Sequence, residues 1–68
     1  MEAILTKLEK TREQLVKKAN ERDSKFVNRS EKWQNSEKGA AYEVNTSLIA
    51  DIVQNLDDAI ENAKLFLK

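Results

Sequence analysis

Asp57, Asp58 and Glu61 are the clearest cluster of groups in this chain that could move a proton or hold a metal ion, with Lys64 one turn further on. Asp58 and Glu61 are an i,i+3 pair at the edge of a helix. Helical metal sites instead gather Glu and His facing inward from several helices, and this chain has no histidine and no cysteine. The usual neutral-pH proton shuttle, the usual metal ligands and any disulfide are therefore missing. The carboxylates read as solvated acids. No catalytic residue, metal or cofactor is assigned, and the chain reads as a non-enzyme.

Two other groupings are suited to recognition. Lys18, Arg22, Lys25, Arg29 and Lys32 follow one another at spacings of four and three along one flank of a helix. Like charges in such a row repel, so the row needs a neutraliser. That is a phosphate ligand or nucleic acid, an acidic protein, or simply neighbouring acids and solvent. Further on, Arg29, Lys32, Trp33, Ser36, Lys38 and Tyr42 bring an indole, a phenol, cations and hydroxyls close together, a mixture that suits a protein contact. The competing reading makes Trp33 and Tyr42 a plug for the end of the core.

The elements that must carry these groups follow from apolar spacing. Ile4, Leu5, Leu8, Leu15, Val16, Ala19, Phe26, Val27 and Trp33 precede the only glycine, Gly39. Tyr42, Leu48, Ile49, Ile52, Val53, Leu56, Ala59, Ile60, Ala63, Phe66 and Leu67 follow it, and there is no proline. Both series have helical periodicity. The expectation is an all-α single domain over residues 1–68: an antiparallel, coiled-coil-like two-helix hairpin with helices at about 3–34 and 39–67 and a turn at about 35–38. Asn35 or Ser36 would cap the second helix. The alternative is a three-helix bundle broken at Ser30 and again near Asn45 to Ser47.

A turn centred between Asn35 and Ser36 sets Leu15 against Leu56, Ala19 against Ile52, Leu5 against Phe66, Phe26 against Asn45, and Arg12 beside Asp58 and Ala59. Glu13 with Lys17 and Glu21 with Lys25 would support the first helix as i,i+4 pairs. The second helix carries an apolar arc wider than one partner covers, leaving Val53, Ile60 and Leu67, seven apart, as a self-association ridge. A homodimer forming a four-helix bundle, or a larger assembly, is expected.

Twelve basic and twelve acidic residues cancel, so the overall positive field of a dedicated nucleic-acid binder is absent. Up to Lys38 there are ten basic against seven acidic residues, and from Gly39 onward two against five. Antiparallel packing brings these oppositely charged halves together. No apolar run approaches the roughly 18 residues of a membrane span. Met1 to Leu8 lacks a signal-peptide block, and a cytoplasmic, membrane-free protein is expected.

The run from Arg29 to Gly39, reading Arg-Ser-Glu-Lys-Trp-Gln-Asn-Ser-Glu-Lys-Gly, followed by Tyr42 and the stretch Leu56, Asp57, Asp58, Ala59, Ile60, resembles small uncharacterised helical proteins of bacteriophages and prophages. That resemblance implies an accessory protein of a mobile element that acts by binding a host protein. Taken together, the residues lead to a non-enzymatic interaction module, with phosphate-ligand or nucleic-acid binding through the basic stripe as the alternative.

Overall fold

In the computed structural model, which describes all 68 residues, the chain forms three helices and no strand. Helix α1 spans Glu2–Val27, α2 is a single turn over Glu31–Gln34, and α3 spans Glu37–Leu67. The two long helices pack side by side and antiparallel, with α2 folded against the start of α3. The molecule measures 52 × 15 × 11 Å with a radius of gyration of 15.6 Å. A compact globule of this length would have about 11 Å, so the chain is a rod. No helix is long and apolar enough to cross a membrane.

The hairpin expectation holds in its long elements and fails at one joint. Helix α1 stops at Val27 instead of running to residue 34, because Ser30 adopts an extended conformation and caps a new turn, its Oγ accepting from the Trp33 N–H at 3.2 Å. Such a break leaves carbonyls at the end of α1 without helical partners. Gln34 repairs it: its amide nitrogen donates to the Phe26 carbonyl at 3.1 Å and to the Arg29 carbonyl at 2.9 Å. The second break, expected near Asn45 to Ser47 in the three-helix alternative, does not occur, as α3 runs through it.

Ser36 caps α3 as expected. Its Oγ accepts from the Gly39 N–H at 3.2 Å and donates to the Trp33 carbonyl. Gly39 is buried, and a Cβ built on it would stand 2.3 Å from the Trp33 carbonyl oxygen and 2.5 Å from that of Gln34. Glycine is needed here for close approach of two backbones, since no residue has positive φ.

The least exposed positions form two heptad rows. On α1 they are Leu5, Leu8, Arg12, Leu15, Ala19, Arg22 and Phe26, and on α3 Gly39, Tyr42, Thr46, Ile49, Val53, Leu56, Ile60 and Ala63; Val16 and Ala59, beside these rows, are half-buried as well. Only Ile49, Ile60, Ala63 and Gly39 are buried, and no side chain is fully enclosed. Opposing residues sit two to three positions earlier along α3 than a turn centred at Asn35–Ser36 requires, because α1 ends early and α2 closes over its end. Arg12 therefore pairs with Asp57 rather than Asp58, and Phe26 meets Tyr42 rather than Asn45, which is exposed.

That shift also exchanges the flanks of α3. Val53 and Ile60 of the expected self-association ridge lie in the seam, Ile60 at 8% exposure, and Leu67 lies at the open end. Leu48, Ile52 and Phe66, expected inside, are 52%, 46% and 72% exposed. The pairs Glu13–Lys17 and Glu21–Lys25 do not close, since Arg12–Asp57 is the only ion pair.

Candidate interaction surface

The closed end of the rod is built on three rings. Phe26 ends α1, Trp33 sits on α2 and Tyr42 lies in the second turn of α3; their centroids are 5.8 Å (Phe26–Trp33), 6.3 Å (Phe26–Tyr42) and 5.6 Å (Trp33–Tyr42) apart. Each such pair adds about 0.5–1.5 kcal/mol beyond area burial. Trp33 and Tyr42 are half-buried, so both plug the end of the core as well as edging the surface.

Arg29 lies over the outer face of the indole, its guanidinium carbon 4.1 Å from the ring centroid. Arg29, Lys32, Trp33, Ser36 and Lys38 line one shallow, open depression together with Ser30 and Glu37. Five of the six residues expected at a partner contact are thus brought together. Tyr42 falls behind Trp33, in a smaller hollow shared with Lys25, Asn28 and Arg29. None of the tip cations is ion-paired. The N-terminus of α3 is closed by Ser36, and Glu37 follows it, so the first turn is not left open to an anion.

The basic stripe is broken by the structure. Arg22 turns into the seam: Nε donates to Thr46 Oγ1 at 2.9 Å, Nη2 donates to the Tyr42 carbonyl at 3.1 Å, and the guanidinium covers the Tyr42 ring at 3.9 Å. The Thr46 hydroxyl in turn donates to the same carbonyl at 3.0 Å. Arg29 and Lys32 lie beyond the end of α1. Lys18 and Lys25 alone remain exposed on one helical face.

The acidic cluster is also divided. Asp57 accepts from the Nε of Arg12, whose guanidinium is held above its ordinary pKa by that hydrogen bond first and by the Asp57 charge second. Asp58 and Glu61 are exposed, and no three acidic side chains stand close enough to hold a metal ion. Sequence reasoning missed Gln34 as the clasp across the break and Arg22 as a seam residue. The signal for Arg22 was present in the three-four spacing Leu15, Ala19, Arg22, Phe26. For Gln34 no pattern announced it.

No protein-family model, curated protein or solved structure matches this chain.

Proposed function

We propose that the chain is a non-enzymatic protein-interaction module whose aromatic end meets an acidic surface on another protein, in the manner of a phage-encoded accessory protein that binds and modulates a host protein. The observation that carries this reading is the Arg29–Trp33 stack at the rim of a depression flanked by Lys32 and Lys38. An arginine held on an aromatic face keeps its N–H donors free for a carboxylate, and Trp and Arg are the residues on which protein contacts most often depend. Because these cations have no intrachain ion pair, an acidic partner would neutralise them without breaking an existing bond.

Capture from a bacterial lysate tests this with the intact chain, an Arg29→Glu, Lys32→Glu variant and a Lys10→Glu control at an exposed position of α1. The partner should be retained by the wild type and the control, released by salt, and lost by the double reversal. Equal capture by the double reversal refutes the reading. A labelled oligonucleotide bound by the wild type at low salt and lost with Lys18→Glu replaces it with phosphate binding.

A further inference from the structure

The flank of the rod opposite the Arg12–Asp57 pair is uncovered, apolar along α3 and basic along α1, with acids on the outer edge of α3. On α3, Leu48, Ile52, Ala59 and Phe66 share this flank, and helical spacing puts only Asn55 and Asn62 among them, so no charge interrupts about 27 Å of helix. On α1, Ile4 lies on the same side, since it sits on the other side of Leu8 from Arg12, and it is 55% exposed. The outer edge of α3 carries Asp51 and Asp58, seven apart; the α1 side carries Lys7, Lys18 and Lys25, with Glu21 the one acid beside them. None of these six charges has an intrachain ion-pair partner.

We infer that a second copy of this chain occupies this flank, turned by half a revolution about the long axis of the rod, so that α3 of each copy covers α1 of the other. The charges select this arrangement. Rotation about the long axis sets the acidic edge of one copy on the basic edge of the next, whereas a half-turn about a perpendicular axis sets acid on acid and base on base. Counting from the Arg12–Asp57 pair, Asp51 stands level with Lys18, and Asp58 is four residues, about 6 Å, along the axis from Lys7. Phe66 comes level with Ile4 of the second copy. The four-helix bundle that results has every neighbouring pair antiparallel. It also gives the row of cations on α1 its neutraliser. The inference does not rest on the reading of the aromatic end.

Sedimentation equilibrium of the full chain tests it, with the dimer expected at twice the 7.8 kDa of one chain. Ile52→Lys should give the single-chain mass, and Val27→Lys, an equally apolar exposed position off this flank, should leave the dimer intact. Lys18→Asp or Asp51→Lys alone should raise the dissociation constant about tenfold, and the two together should restore it to within a few-fold. The chain has no cysteine, so Ile4→Cys chains mixed with Phe66→Cys chains should oxidise to a mixed disulfide dimer. A single-chain mass at all concentrations while helicity persists overturns the inference. So does a dimer unaffected by Ile52→Lys, a swap that fails to restore association, or absence of the mixed disulfide.

Discussion

Replacing Gly39 by alanine sets two effects of opposite sign against each other. In the first turn of α3 the added methyl removes backbone freedom from the unfolded chain and favours the helix by up to about 1 kcal/mol. Against that, the new Cβ would meet the Trp33 carbonyl oxygen at 2.3 Å, the Gln34 carbonyl oxygen at 2.5 Å and its carbon at 2.8 Å, where ordinary contact begins at 3.4 Å. All three atoms are backbone, so no side chain can swing away; α2 has to retreat from α3 by about 1 Å. That turn is held by the Gln34 amide on α1, by Ser36 on the Trp33 carbonyl, and by Trp33 wedged against Phe26 and Tyr42. Retreat loosens all of them. Overpacking of this kind costs about 1–3 kcal/mol, and with the shared contacts weakened the net expectation is a loss of about 2 kcal/mol, or about 8–16 °C in melting temperature for a domain this small. Thermal unfolding followed by circular dichroism at fixed protein concentration measures it, with Trp33 fluorescence reporting the movement of α2. Ala40→Gly, on the exposed side of the same turn, should cost at most about 1 kcal/mol through propensity alone. A Gly39→Ala protein that melts at or above the wild type refutes the close-approach argument.

Gln34→Ala should lower stability by about 1 kcal/mol, since it strips the Arg29 carbonyl of its donor and leaves the Phe26 carbonyl with the Arg29 N–H alone; a urea midpoint unchanged against wild type would show that water replaces the amide without loss. Ser36→Ala removes the cap of α3 and should cost about 1 kcal/mol in the same assay, with Ser36→Gly milder. Ile60→Ala should cost about 2–3 kcal/mol by chemical denaturation, because Ile60 is among the few buried side chains. A loss under about 0.5 kcal/mol would place it outside the seam. Thr46→Val should cost about 1 kcal/mol by leaving the Arg22 Nε donor without its partner in the half-buried seam.

The helical hairpin, the cap at Ser36 and the plugging of the closed end by Trp33 and Tyr42 were legible because each depends on local spacing and turn chemistry. The facing sides of the helices were not. An apolar arc about 140° wide on the second helix does not announce which of its edges meets a partner, and the edge of Leu48, Ile52 and Phe66 looks as buriable as that of Val53 and Ile60. What decides is the other helix, whose seam contains Arg12 and Arg22. A search for apolar residues passes over both, although they sit at seam spacing and tie α1 to Asp57, Thr46 and Tyr42. Spacing alone does not decide between a break at Ser30 and a longer first helix. The contact that makes the break stable, Gln34 reaching back to Phe26 across eight residues, is a tertiary bond without a periodic signature. The same break moved the register by two to three residues. The tip residues come together in the fold because they are also close in sequence, whereas the basic row is interrupted because Arg22 bonds into the seam.

Because α1 and α3 run in opposite directions, Met1 and Lys68 emerge together at the end of the rod farthest from the Phe26, Trp33 and Tyr42 rings. A fusion, dye or surface tether at either terminus would thus stand off from the aromatic end by most of the 52 Å length. Tethered this way, the chain behaves as a short mast with its aromatic head held clear of whatever anchors it.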